Sequence, residues 1–156
     1  MFTIPLEQIF TTSNLKDSFL EISSKSTGLD EVSYNEFKKD FSKNLDETIS
    51  SIVTGSFSPE PLKKIEIEKP NSDEKRPIAL SSIKDKLIQR VLYSHLRDYF
   101  ETTFSDKSYA YRRDKSTLKA INRTSQFIQE KNFWVLKTDI DNFFEAINHD
   151  KLLKIL

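Results

Sequence analysis

An aspartate at the end of an apolar run, Asp139 after Phe133-Trp-Val-Leu-Lys-Thr138, is the residue of this sequence best placed to do chemistry. The run reads as a buried strand. An ionised carboxylate is costly to bury unless it is paired, hydrogen-bonded or bound to a metal. Asp139 is therefore either a cap for the next turn or an oxygen ligand for a cation in a cleft. Asp141 falls on the same side if the strand continues, and reads as solvated or capping. Phe143 and Phe144 stand next to one another, with the types and spacing of ordinary core. Two groups of cations complete the inventory. Lys69 and Arg76 flank a polar turn, where they are either solvated or available to an anion. Arg112, Arg113 and Lys115 form a charge run that suits a wet loop or a nucleic-acid backbone.

Composition narrows these options. The 156 residues contain no cysteine, which excludes disulfides, thiolate metal sites and cysteine nucleophiles. The two histidines, His95 and His149, have no ligand spacing, and His149 reads as a helix-start residue, so any metal would be held by oxygen. The N-terminus lacks a basic signal-peptide region, and no segment has the apolar length to span a bilayer. A soluble cytoplasmic protein is expected, with no membrane partner. Residues 1–60 carry five Lys/Arg against ten Asp/Glu, and residues 61–156 carry nineteen against fourteen. The basic excess of the second part suits a phosphate-bearing partner and equally a solvated surface.

The elements that must position these residues follow from periodicity. Residues 13–28 read as a short helix breaking into a Ser/Thr loop that ends at Gly28. Ser33 and Glu36 have capping-box spacing. Phe37, Phe41, Leu45, Ile49 and Ile52 then recur every three or four residues, predicting one amphipathic helix over 33–54 that stops at Gly55. Strict alternation in Lys63-Lys-Ile-Glu-Ile-Glu-Lys69 predicts a strand, and Arg76-Pro-Ile-Ala-Leu80 its returning partner, with Lys69 and Arg76 near the tip. Ile83, Leu87, Ile88, Val91, Leu92, Leu96, Tyr99 and Phe100 predict a long helix over about 82–104. Ser105 to Lys115 is a polar loop. Ser116 opens a further helix, with Leu118, Ile121, Phe127 and Ile128 expected inward, before the strand over 133–140. His149-Asp-Lys-Leu-Leu-Lys-Ile-Leu156 begins an amphipathic helix whose apolar residues call for a cover.

In this order, the segments from 28 to 156 resemble the N-terminal part of bacterial reverse transcriptases of the group II intron and retron type. Gly28-Leu-Asp-Glu-Val-Ser33 is similar to the family's Gly-x-Asp-Gly-x-Ser/Thr opening. Lys69 with Arg76-Pro-Ile-Ala-Leu80 resembles its Lys-to-Arg-Pro-Leu hairpin. Asp85-Lys-Leu-Ile-Gln89 with Phe104-Ser-Asp-Lys-Ser-Tyr-Ala-Tyr-Arg112 resembles its second block. Lys137-Thr-Asp-Ile-Asp-Asn-Phe-Phe-Glu-Ala-Ile-Asn-His149 resembles the block that holds the first catalytic aspartate.

The resemblance implies an α+β fold: an N-terminal helical extension over 1–32, a fingers region over 33–132 with one hairpin and packed helices, and the start of a palm over 133–156. It implies an RNA-directed DNA polymerase that adds dNTPs to a DNA primer on an RNA template, by two-metal phosphoryl transfer with Mg²⁺. Asp139 would be a catalytic metal ligand, helped by the carbonyl of Ile140. Lys69 and Arg76 would clamp the triphosphate. Phe144 would lie under the sugar and disfavour a 2′-hydroxyl by shape, with Phe143 its core neighbour. Tyr111, Arg112, Arg113 and Lys115 would contact the template.

Departures from the family pattern are Ala110 and Arg113 in the second block, and Asp141 and Glu145 in the block around Asp139. The later Tyr-x-Asp-Asp motif and the thumb are not among these residues. The chain is therefore expected to be inactive by itself, to look truncated or to require a chain carrying the rest of the palm and thumb, and to be poorly soluble or oligomeric. An RNA- or partner-binding protein without catalysis is the alternative, and an RNA-templated RNA polymerase a third reading.

Overall fold

The computed structural model describes residues 4–22, 26–68, 73, 75–144 and 146–155. The chain forms two compact units, Met1–Phe104 and Ser105–Leu156. Helices and one small antiparallel sheet make the architecture α+β.

In the first unit, helix α1 (Leu6–Ile9) leads into α2 (Thr12–Leu20). Thr11 caps α2 by accepting the Asn14 N–H at 3.2 Å. α2 ends at Leu20, as the short helix expected within 13–28. Ser33 opens α3 (Tyr34–Lys39) with the expected capping box: the Glu36 N–H donates to Ser33 Oγ at 3.2 Å, and the Ser33 N–H donates to Glu36 Oε2 at 2.8 Å.

The single helix expected over 33–54 is instead two, because Asp40 leaves the helical region at φ −106°, ψ 40° and separates α3 from α4 (Phe41–Val53). Asn44 compensates: its Nδ2 donates to Phe37 O at 2.8 Å, satisfying a carbonyl at the end of α3. The apolar period runs unbroken through the kink, so periodicity alone did not reveal it. Gly55 follows α4 at φ +71°, a conformation that costs glycine little.

Strand β1 (Lys63–Glu68) pairs antiparallel with β2 (Lys75–Leu80), with Ile65 opposite Ile78 and Ile67 opposite Arg76. The hairpin is as expected. Helix α5 (Ile83–Glu101) starts at Ser82, whose Oγ accepts the Asp85 N–H at 3.0 Å.

The core gathers Phe10, Leu15 and Phe19 with Phe37, Leu45 and Ile52, and Ile83, Leu87, Ile88 and Val91 from the first half of α5. Phe19 is the hub. Its ring stacks on Tyr34 at 4.2 Å and lies 5.6 Å from Phe37 and 4.7 Å from Phe41, so α2, α3 and α4 meet on one side chain. Leu96, Tyr99 and Phe100, expected on the same buried face, are exposed.

The second unit contains α6 (Thr117–Gln129), capped as expected by Ser116, and α7 (His149–Ile155), which begins at His149. Asn148 Oδ1 accepts the Lys151 N–H at 2.9 Å and caps α7. Two expectations are corrected here. Residues 133–140 form no strand, and Trp134 is 98 % exposed. A strand exists only through a neighbour that takes up its N–H and C=O groups, and no described residue pairs with this run. Leu118, Ile121 and Ile128 of α6 are exposed rather than inward, while Phe127 is half-buried beneath the Arg123 guanidinium at 4.3 Å.

Candidate functional site

The residues singled out by type fall in both units. In the first, Arg76 is the second residue of β2. Its register opposite Ile67 places it on the half-buried face shared by Ile65, Ile78 and Leu80. Arg76 itself is exposed, a forked donor at the open end of an apolar hairpin face. Lys69 lies outside the described residues.

Two connections hold the base of this hairpin to the helices. Phe57, partly buried against the core, has the Lys84 ammonium 5.3 Å from its ring centre. The Glu60 N–H donates to Asp85 Oδ2 at 3.0 Å. Asp85 is only 5 % exposed, and its Oδ1 has no hydrogen-bond partner among the described residues. The spacing Ser82-x-x-Asp85 carried a signal for this site, since it is that of a capping box. The structure makes the serine half of the box and turns the carboxylate to Glu60.

A cavity of about 350 Å³ opens beside α5, lined by Glu21, Ile22, Ser81, Lys86, Gln89, Arg90 and Tyr93. Its cations are engaged. The Lys86 ammonium donates to Ser26 Oγ at 2.9 Å and to Ser26 O, and desolvation lowers its pKa, with Asp30 acting in the opposite sense. Arg90 is paired with Glu21 and lies 4.9 Å from the Tyr93 ring centre.

In the second unit, Arg112 Nη1 donates to Ser105 O at 2.7 Å and to Ser108 O at 3.0 Å. Lys115 Nζ donates to Asp106 O at 3.0 Å and lies 5.2 Å from the Tyr109 ring centre. These two cations, expected to face a template, fold the loop on itself. Tyr111 is fully exposed at φ +58°, and Arg113 is exposed.

Asp139 is exposed, not buried at a strand end. Its Oδ1 accepts the N–H of the next residue, Ile140, at 3.0 Å, a local contact that leaves the other oxygen without a hydrogen bond among the described residues. Ile140 and Phe144 are exposed at 67 % and 78 %. Phe143, expected in the core, is half-exposed and meets Phe144 edge-to-face at 5.2 Å. The turn between them and Asp139 passes through Asn142 at φ +48°.

A carboxylate and an adjacent carbonyl are the donor types that a hard divalent cation accepts, and in type they fit one arm of a Mg²⁺ site. No group of three or more acidic or histidine side chains able to hold a metal occurs among the described residues. No helix among them is long and apolar enough to cross a membrane.

The described residues thus make an α+β chain with an arginine-bearing hairpin and an exposed aspartate followed by paired phenylalanines. The chain belongs to the reverse transcriptase (RNA-dependent DNA polymerase) family, whose model matches residues 67–156. Among curated relatives, it is 30 % identical over 117 residues to the group II intron-encoded protein LtrA of Lactococcus lactis subsp. cremoris, covering 73 % of this chain and 19 % of that protein. It is 31 % identical over 112 residues to an uncharacterized 91 kDa protein in the cob intron of Schizosaccharomyces pombe, covering 72 % of this chain and 14 % of that protein. Protein YkfC of Escherichia coli K12 is 24 % identical over 107 residues, covering 66 % of this chain and 28 % of that protein. The chain thus spans less than a third of the length of each of these relatives, and the resemblance to intron-type reverse transcriptases is borne out at the level of family.

Proposed function

We propose that this chain supplies the fingers and the start of the palm of a cytoplasmic RNA-directed DNA polymerase, which extends a DNA primer on an RNA template. The observation that carries the reading is the family match itself, which covers residues 67–156 and with them Arg76, the segment from Asp85 to Arg112 and the segment around Asp139.

Each residue then has a task set by its chemistry. Arg76, and Lys69 before the turn, take up charge on the triphosphate, the arginine through two parallel donors and the lysine as a point charge. Asp139, with the Ile140 carbonyl, holds a metal through its free carboxylate oxygen. Mg²⁺, when bound, acts as a Lewis acid that eases deprotonation of the primer hydroxyl and offsets charge on the leaving pyrophosphate. Phe144 presents a flat apolar face to the sugar and excludes a 2′-hydroxyl by shape. Residues 33–132 are assigned to the fingers and 133–156 to the palm; the remaining metal ligands and the thumb would come from outside this chain, which by itself would not polymerise.

The test is primer extension by the protein in the length in which the cell makes it, with Mg²⁺, dNTPs and a DNA primer on RNA. Incorporation of dNTPs in preference to ribonucleotides is expected. Salt-dependent RNA binding with no incorporation would overturn the reading.

A further inference from the structure

Glu60 and Ser82 bracket the hairpin: the first stands three residues before β1 begins, the second two residues after β2 ends. Asp85 reaches both. Its Oδ2 accepts the Glu60 N–H at 3.0 Å, and its own N–H donates to Ser82 Oγ at 3.0 Å. The buried Asp85 side chain therefore fastens the chain entering β1 to α5, and its backbone N–H joins the Ser82 cap where the chain leaving β2 enters the same helix, whose next turns carry the core residues Leu87, Ile88 and Val91.

Between Phe57, which packs against the core, and the start of β1, the Glu60 N–H is the link's one hydrogen bond to α5 among the described residues. Pro59 and Pro61 flank Glu60 and donate no backbone hydrogen bonds. The hairpin has only two strands, and a ribbon of that size does not fix its own position on a core.

We infer that Asp85 is the positioning residue of the hairpin, setting the direction in which Arg76 is presented by clasping the link that enters β1 to the first turn of α5, the helix into which the chain leaving β2 runs at Ser82. The role rests on the nucleotide reading of Arg76 only for its consequence; the clasp itself is a statement about this chain. Removing the acceptor frees the link at Glu60 and lets the hairpin move as a body while its own ladder and the helical core stay formed. Because Oδ1 makes no hydrogen bond with a described residue, an amide in place of the carboxylate breaks none there and keeps an oxygen for Glu60.

The test is residual dipolar couplings and amide exchange on the protein at its cellular length, with residues 1–156 segmentally labelled, comparing wild type with Asp85→Leu, Asp85→Asn and Glu60→Pro. In wild type and Asp85→Asn, the hairpin and helices α2, α4 and α5 should fit one alignment tensor, and the Glu60 amide should exchange slowly. In Asp85→Leu, the hairpin should require its own, smaller tensor, and Glu60 should exchange on the order of tenfold faster, while the Leu87 and Val91 amides keep their protection. Glu60→Pro deletes the donor and leaves Asp85 intact, so it should free the hairpin even if Asp85→Leu fails to fold.

A single tensor in both Glu60→Pro and Asp85→Leu would overturn the clasp, as would joint loss of hairpin and core protection in Asp85→Asn and Glu60→Pro. A parallel titration with Mg·dATP separates the two readings. A hairpin correctly placed only a fifth of the time should bind about fivefold more weakly. Freed couplings without change in nucleotide binding would leave the clasp standing and refute the nucleotide assignment of Arg76.

Discussion

Gly28 lies against the backbone of Ser82: a methyl group built on its Cα would come within 2.7 Å of the Ser82 nitrogen and 2.8 Å of its Cα. The loop before α3 thus touches the start of α5 where β2 hands over to the helix. Backbone cannot move aside as a flexible side chain can. Gly28→Ala should destabilise the first unit by about 1–3 kcal/mol, the usual cost of overpacking. The measurement should follow far-UV circular dichroism or exchange of the Val91 amide in urea. Trp134 fluorescence reports on the other unit. An unchanged urea midpoint would remove the close approach from the account of this loop.

Glu31, three residues on, has φ +56°. It stands where the related pattern Gly-x-Asp-Gly carries its second glycine, and a left-handed backbone strains any residue with a Cβ. Glu31→Gly should raise stability by about 1 kcal/mol, the left-handed penalty less the greater chain entropy of glycine. The same substitution in a regular helix would lower stability, so the sign of the change in thermal midpoint is the readout.

The capping box of α3 makes stability depend on pH. Hydrogen bonds from the Ser33 side chain and backbone hold the Glu36 carboxyl below the ordinary glutamate value, with Lys39 adding a smaller attraction and desolvation opposing them. A lowered folded-state pKa means that the contribution is fully present above the ordinary glutamate value. It is lost as pH falls through the lowered one. Ser33→Ala should cost about 1 kcal/mol at neutral pH through the lost cap. It should also flatten the pH dependence of unfolding in the acidic range. A variant retaining the wild-type acid slope would show that the slope comes from other carboxyls.

How much of this was legible in the sequence depends on whether a residue's partner is local. Ser33 with Glu36, Ser116 before α6, Gly55 after α4 and the alternation in Lys63–Glu68 were all readable, because each feature is decided within a few residues. The kink at Asp40 was not, since Phe37 and Phe41 keep their spacing through it. The strand over 133–140 failed for the opposite reason: apolar content marks a segment fit for a sheet, but only pairing makes one. At the candidate site, Asp139 and Arg76 were visible as types in a pattern. Asp85 was visible only as part of a motif, because its partner Glu60 is 25 residues away.

The loop 105–115 separates two uses of arginine. Arg112 is tied to Ser105 O and Ser108 O, whereas Arg113 is exposed with no hydrogen bond or ion pair among the described residues. On the proposed reading, Arg113→Ala should weaken RNA binding uniformly across sequences and lower the salt slope by about one. Arg112→Lys keeps the charge but not the fork, so it should speed proteolytic cleavage within 105–115 with little change in that slope. Filter binding over a salt series, paired with limited proteolysis, distinguishes them. Equal slopes for Arg113→Ala and wild type would remove Arg113 from the nucleic-acid contact.

Asp139→Asn is the substitution in which activity and stability should part most clearly. The side chain is exposed and its one hydrogen bond among the described residues, from the Ile140 N–H to Oδ1, is one that an amide oxygen also accepts. Stability should therefore stay within about 0.5 kcal/mol of wild type, as for other exposed positions. Primer extension by the protein at its cellular length should nevertheless be abolished. A neutral amide is a far poorer ligand for Mg²⁺ than a carboxylate and cannot offset its charge. If extension were lost together with folding, the aspartate would be a structural cap. If extension persisted at the wild-type rate, the metal would have to be held elsewhere, and Asp139 would be reduced to its local contact with the Ile140 N–H.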